Sequence, residues 1–116
     1  MRDEGIERPS VLVRPWLLLL IAEAPGHGYE LKDRLNALGF NWGGGKPGPV
    51  YRELHNLETS ALIRSTPVEG ASGPVRYTYE LTDLGRARLS EVCSAMRGLA
   101  ALSAEFENRC SRLRDH

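Results

Sequence analysis

The stretch Gly48-Pro49-Val50-Tyr51-Arg52-Glu53-Leu54-His55-Asn56-Leu57-Glu58 decides the fold of this chain. Val50, Leu54 and Leu57 recur at i, i+4 and i+7, the spacing of a buried stripe along a helix. Pro49 is tolerated in the first turn of such a helix, because its missing N–H has no helical partner there. The side chains off the stripe are aromatic or rich in hydrogen-bond donors: Tyr51, Arg52, His55 and Asn56. Such side chains reach phosphates and base edges, although an ordinary amphipathic surface helix is the alternative.

Two helices are predicted before this stretch. Residues 11–23 are apolar nearly all round, which predicts a short buried helix, and the Pro25-Gly26 turn ends it. Residues 29–38 carry leucines at helical spacing, and Gly39 is a natural stop. The polar residues 1–10 are expected to form an N-terminal arm.

A β-hairpin is predicted after the third helix. Residues 61–68 have the character of one strand, and residues 75–81 alternate between apolar and polar, which is typical of a half-buried strand. The polar loop between them forms the tip, which Arg64 and Arg76 are expected to bound.

A long helix is predicted from Thr82-Asp83, a favourable cap and first turn, to about Leu113. Its apolar residues follow the 3-4 spacing of a coiled-coil seam, with Ser103 as the polar exception. We expect a dimer interface made of Leu17, Leu89, Val92, Met96, Leu99, Phe106 and Leu113. A helix that folds back over its own core is the alternative.

The order of these elements predicts an α+β, mainly α fold. Residues 11–82 form a winged helix-turn-helix of three helices and a two-stranded β wing, and residues 83–116 form a C-terminal dimerisation helix. The third helix is placed to enter the major groove of DNA.

Composition bounds the class of protein. The 116 residues suit one domain, and 15 basic against 15 acidic residues give zero net charge, which counts against a strongly basic DNA-binding protein. The apolar run at 15–22 is shorter than the roughly 20 residues of a membrane span, so a cytoplasmic protein is expected.

Cys93 and Cys110 are expected as buried free thiols. No spacing typical of a metal site, a P-loop or a catalytic group is present, so we expect no enzyme, metal or cofactor.

The chain resembles the PadR-like transcriptional regulators, in particular the short members with a single C-terminal helix. The resemblance covers residues 14–90 and is carried by short motifs: Gly28-Tyr29-Glu30-Leu31, Gly48-x-x-Tyr51, Leu54-x-x-Leu57-Glu58, Leu62-Ile63 and Arg76-x-x-Tyr79-x-Leu81-Thr82-x-x-Gly85. Members usually have a glycine between Glu58 and Leu62, where this chain has Thr59-Ser60-Ala61. The resemblance implies a dimeric repressor that small aromatic effectors release from DNA.

The functional residues follow from the pattern and the resemblance together. We expect contacts to double-stranded DNA, an inverted repeat, from Tyr29, Lys46, Pro49, Tyr51, Arg52, His55, Arg64 and Arg76. Trp16, Leu20 and Met96 are the expected walls of an effector pocket, with core packing as the alternative for Trp16 and for Trp42. A winged-helix module that binds proteins rather than DNA is the competing function, and zero net charge would suit it.

Overall fold

Four helices make up most of the computed structural model, which describes residues 10–40, 46–68 and 76–115. A short 3-10 helix (Ser10–Leu12) leads into α1 (Val13–Glu23), and the others are α2 (Gly28–Ala37), α3 (Gly48–Thr59) and α4 (Asp83–Arg114). The predicted fold class is confirmed, and each helix begins within two residues of its predicted first residue. The arm before Ser10, Trp42 and the hairpin tip lie outside the described residues.

The sheet has three strands where the sequence predicted two. Strands β2 (Ile63–Val68) and β3 (Arg76–Leu81) pair as the expected hairpin, and β1 (Gly26–His27) pairs antiparallel with the other edge of β3. Gly26 and His27 read locally as a turn, and only their pairing with Tyr79 and Thr78 makes them a strand.

The register of the hairpin corrects the expected position of Arg64. Arg64 lies opposite Glu80, next to the Ile63–Leu81 pair at the base, whereas Val68 lies opposite Arg76 toward the tip. Arg76 therefore lies near the tip as predicted, but Arg64 does not.

One hydrophobic core joins the first three helices to the sheet. It contains the predicted stripe of α3, and its fully buried side chains are those of Val13, Leu17, Leu18, Ile21, Leu31, Leu35, Val50, Leu54, Leu57, Leu62 and Ile63. Leu17 has 0% of its surface exposed, so its expected place in a dimer interface is wrong: its side chain is enclosed by the core of its own chain.

A tight junction fixes α4 to the end of α3. The Thr82 hydroxyl accepts a hydrogen bond from the Gly85 N–H (3.0 Å) and donates one to the Ala61 carbonyl (2.6 Å). The Thr82 N–H donates to the Leu62 carbonyl at 3.1 Å. A Cβ atom on Gly85 would overlap that same carbonyl oxygen, so glycine is required there.

Helix α4 extends well beyond the core. Its 32 residues span about 48 Å at 1.5 Å each, and the molecule measures 66 × 31 × 20 Å. Its outer half exposes Leu99, Leu102, Phe106 and Leu113. In the single chain Cys93 is exposed and Cys110 is half-buried, which corrects the expectation of two buried thiols. None of the described helices has the length and apolar character needed to cross a membrane.

Candidate nucleic-acid interface

The outer face of α3 is polar and exposed, as the sequence predicted. Tyr51, Arg52 and His55 lie on it, while Val50, Leu54 and Leu57 are at most 1% exposed on the opposite side. Helix α3 therefore buries one stripe and leaves a continuous row of donor groups free.

A cleft of about 670 Å³ lies beside this face, between the start of α2, helix α3 and strand β3. All four tyrosines of the chain line it, together with Arg76 from β3. Its full lining is His27, Gly28, Tyr29, Glu30, Tyr51, Arg76, Tyr77 and Tyr79. Three expected DNA contacts, Tyr29, Tyr51 and Arg76, are thus brought together from three separate elements.

Gly28 determines where the Tyr51 ring lies. A Cβ atom at Gly28 would lie 2.8 Å from Cζ and 3.1 Å from the hydroxyl oxygen of Tyr51, closer than side chains normally approach. The missing side chain lets the ring pack directly on the first turn of α2, with Tyr51 still 42% exposed. The Gly28-Tyr29 and Gly48-x-x-Tyr51 motifs are therefore two halves of one contact.

Glu30 closes the first turn of α2. Its Oε1 accepts a hydrogen bond from the backbone N–H of His27 at 2.9 Å. That bond is the main reason why the pKa of Glu30 is lowered from 4.5; desolvation is the next largest effect and opposes it, and the charges of His27, Arg34 and Arg76 lower the pKa further. Glu30 is thus a stable anion at the cleft, and it interacts electrostatically with Arg76.

The His27 ring joins the start of α2 to the wing. Its Nδ1 lies 3.2 Å from the carbonyl oxygen of Tyr77, and its Nε2 lies 3.8 Å from Glu30 Oε1. His27 and Tyr77 also line the cleft, although neither was predicted from the sequence. Their signal was position: His27 directly precedes the Gly28-Tyr29 motif, and Tyr77 is two residues before Tyr79 on the same face of a strand.

Tyr79 forms the floor of the cleft and is 9% exposed. Burial is the main cause that raises its pKa above 10.0, and Tyr51, Glu58 and Tyr77 contribute to the rise. Tyr79 therefore remains a neutral phenol beneath the more exposed tyrosines.

Some arginines near α3 and in the wing are neutralised by ion pairs within the chain. Arg14 pairs with Glu53, and Arg64 with Glu80 at 2.8 Å. Within the described residues no carboxylate forms such a pair with Lys46, Arg52 or Arg76. Zero net charge therefore coexists with unpaired cations on and around α3.

Two of the expected DNA contacts are placed differently from the rest. Arg64 lies at the hairpin base in its pair with Glu80 and does not line the cleft. Pro49 is half-buried in the first turn of α3, where its role is to start the helix.

A second, apolar groove of about 470 Å³ lies between α1 and α4. The expected pocket residues Trp16 and Met96 both line it, whereas Leu20 is 8% exposed and belongs to the core. The complete lining is Pro15, Trp16, Leu19, Leu89, Val92, Cys93, Met96, Arg97 and Ala100. Leu19 thus occupies the place that was expected for Leu20, because the neighbouring position on α1 faces inward.

In the described part of the chain no cluster of His, Cys, Asp or Glu could hold a metal ion.

The family of this chain follows from its match to a family model. Residues 17–91 match the model of the transcriptional regulator PadR-like family. The chain belongs to the PadR-like family of transcriptional regulators. This family is one of regulators and not of enzymes, in agreement with the sequence analysis.

Solved structures share the PadR-like fold over most of the chain. A conserved protein of unknown function, a potential transcriptional factor, is 31% identical with a TM-score of 0.80, over 94% of this chain and 97% of that one. A PadR-like transcriptional regulator from Bacillus cereus is 26% identical with a TM-score of 0.73, over 83% of this chain and 91% of that one. No curated protein matches this sequence.

A more distant likeness is to the Bacillus subtilis PadR solved in complex with operator DNA. It is 22% identical with a TM-score of 0.62, over 73% of this chain and 48% of that chain. At that identity the likeness concerns the fold alone.

Proposed function

We propose that the protein is a homodimer that binds an inverted repeat in double-stranded DNA and regulates transcription in the cytoplasm. Helix α3 enters the major groove, where Arg52 and His55 meet base edges or phosphates. The Tyr29 and Tyr51 hydroxyls, Lys46 and Arg76 contact the backbone beside it. One observation carries this proposal: the exposed face of α3 and the four-tyrosine cleft adjoin, and they carry cations that form no direct ion pair with any described carboxylate.

The exposed residues of α4 support the dimer. Leu99, Leu102, Phe106 and Leu113 are between 48% and 76% exposed in the single chain. Contiguous apolar surface of this kind marks an interaction site in a folded protein. A second copy covers it economically, because two α4 helices present the same seam to each other.

We infer further that the protein is a repressor that a small, flat aromatic molecule releases from DNA. The groove between α1 and α4 supports this inference, since it is apolar, has an aromatic wall in Trp16 and is large enough for a small ligand. Ligand binding at the groove would act on α1 and α4 together, and these set the spacing of the two α3 helices.

Titration of a labelled inverted-repeat duplex tests the DNA-binding proposal. The duplex is chosen by footprinting the DNA upstream of the protein's own gene, and a scrambled duplex of equal composition is the reference. Arg52→Ala should weaken binding by about 1–3 kcal/mol if Arg52 reads a base, and by a uniform amount on all sequences if it holds a phosphate. Arg88→Ala, which removes the same charge from α4, should leave binding unchanged. Equal affinity of the wild-type protein for both duplexes would contradict the proposal.

Tryptophan fluorescence tests the effector proposal. A Trp42→Phe variant leaves Trp16 as the sole tryptophan, so its emission reports on the groove alone. Saturable quenching by flat aromatic molecules, together with release from the labelled duplex, is the expected result. Quenching that rises linearly without release would count against an effector site.

A winged-helix module that binds another protein is the second candidate, and zero net charge is the observation that favours it. The same duplex titration separates the two functions. Retention of a protein partner at high salt, with no preference for the inverted repeat, would support the module instead.

A further inference from the structure

Among the described residues, Lys32 is the charged residue that is buried. It lies on α2 with 8% of its surface exposed. Its Nζ is 4.1 Å from the centroid of the Tyr29 ring and 3.6 Å from the Asp33 carboxylate. The Tyr29 ring belongs to the four-tyrosine cleft and is itself 57% exposed.

This arrangement compensates a buried ammonium group. A buried charge is costly unless it is paired, and an aromatic face attracts a cation within about 6 Å of its centroid. Tyr29 and Lys32 are three residues apart, so their side chains lie one above the other on the same face of α2. One side of the Tyr29 ring therefore covers the ammonium, while the ring as a whole remains at the cleft.

We propose that Lys32 is a positioning residue that holds the Tyr29 ring against α2 and so presents its hydroxyl to a DNA phosphate. The inference rests on the proposed DNA-binding function. Lys32 itself does not reach the phosphate, because its side chain is 10% exposed and lies under the ring. It acts by restricting Tyr29 to one orientation, which lowers the entropy lost when the hydroxyl binds.

The other lysine provides a matched comparison. The chain has two lysines, and Lys46 is exposed just before α3, where it is proposed to contact a phosphate directly. Removing a direct phosphate contact lowers the slope of log K against log salt by about one, whereas removing a positioning residue leaves the slope unchanged. Lys32→Met and Lys46→Met are therefore the same substitution with different expected signatures.

The DNA experiment measures affinity over a series of salt concentrations. Lys32→Met should weaken binding about 3- to 10-fold, the range of a partly desolvated cation–π contact, with the wild-type salt slope. Lys32→Arg, which keeps the cation over the ring, should restore most of the affinity. In a Tyr29→Leu background Lys32→Met should have no further effect. A reduced slope, or an undiminished effect in that background, would overturn the inference.

A measurement on the free protein separates this inference from the DNA-binding proposal. The ε-CH2 protons of Lys32, assigned by comparison with Lys46→Met, should be shifted upfield by the Tyr29 ring current and should return to ordinary values in Tyr29→Leu. Absence of that shift in the folded wild-type protein overturns the inference whatever the DNA result. A clear shift, in a wild-type protein that does not prefer the inverted repeat, would instead overturn the proposed function and with it the role of Lys32 in DNA binding.

Discussion

Ala61 is the described non-glycine residue with a positive φ, 63°. It lies at the end of α3, where the resemblance to the PadR-like family led us to expect a glycine. The helix still ends sharply there, because the Ser60, Ala61 and Leu62 N–H groups donate to carbonyls of the last turn of α3. The backbone geometry is thus kept without the residue that suits it best.

Ala61→Gly should stabilise the protein by about 0.5–1 kcal/mol, since the left-handed region costs alanine more than the extra freedom of glycine costs in the unfolded chain. Urea unfolding measures the difference. Ser60→Gly is the matched control, because Ser60 has a φ of −82° and gains nothing from glycine. A loss of stability in Ala61→Gly would contradict the assigned backbone conformation.

Glu30 gives the protein a defined response to acid. Its pKa is lowered from 4.5 in the folded chain, chiefly by the His27 N–H, so the folded state favours the anion. The resulting stability is present above pH 4.5 and is lost as the pH falls below it. Wild-type protein should therefore lose stability more steeply than Glu30→Gln between about pH 5.5 and pH 3.5 in urea unfolding, a range of about one unit either side of that value. Parallel profiles for the two proteins would show that the capping bond is absent.

At the scale of elements, α4 and the wing are attached through a few side chains at the end of α3. Glu58 accepts hydrogen bonds from the Ser65 N–H (3.1 Å) and the Ser65 hydroxyl (2.6 Å), which ties β2 to α3. Thr82 and Gly85 attach the start of α4 to the same corner. The Leu57-Glu58 and Thr82-x-x-Gly85 motifs therefore fix how β2 and α4 are placed relative to α3.

Two glycines of α4 should respond to alanine in opposite directions. Gly85→Ala should destabilise the protein by about 2 kcal/mol or more, because its Cβ would overlap the Leu62 carbonyl and force the helix away. Gly98→Ala should stabilise it by about 1 kcal/mol, since Gly98 has open space around it and alanine is the better helix former. Thermal unfolding of both variants checks the pair. A similar melting temperature for the two would contradict the tight junction.

The elements that local patterns define were predictable from the sequence, and those that distant pairing defines were not. The stripe of Val50, Leu54 and Leu57 and the cap at Thr82 depend on neighbours within one or two turns, so they fixed α3 and α4. Strand β1 exists only through its pairing with β3 some 50 residues away. A segment of two residues is too short to show the alternating pattern from which a strand is predicted.

The candidate site shows the same division. The exposed face of α3 follows from helical period, and the structure places Tyr51 and Arg52 on it as predicted. The position of Arg64 depends on hairpin register, which the loop length sets, and helical period cannot tell whether Leu17 faces its own core or a partner. The Lys32–Tyr29 contact was not predicted, because Lys32 is one of several polar residues on the side of α2 that was expected to face solvent.

At the scale of the whole molecule, the exposed apolar residues of α4 are the basis of the proposed dimer. Phe106 is 71% exposed in the single chain. If it lies between two copies, Phe106→Glu should place a charge in an apolar interface and shift the protein toward monomers that remain folded. Sedimentation at several concentrations measures this shift. Ala104→Glu, about 200° around the same helix, is the control and should leave the dimer intact.

The stoichiometry of the complex with the footprinted inverted repeat shows whether the protein binds DNA as a dimer. Sedimentation velocity of the wild-type protein with this duplex should give two chains per duplex. Insertion of about five base pairs between the half-sites, which turns one of them to the opposite side of the helix, should abolish the high-affinity complex. One chain per duplex, or equal affinity for the original, respaced and scrambled duplexes, would rule out a dimer that binds two matched half-sites.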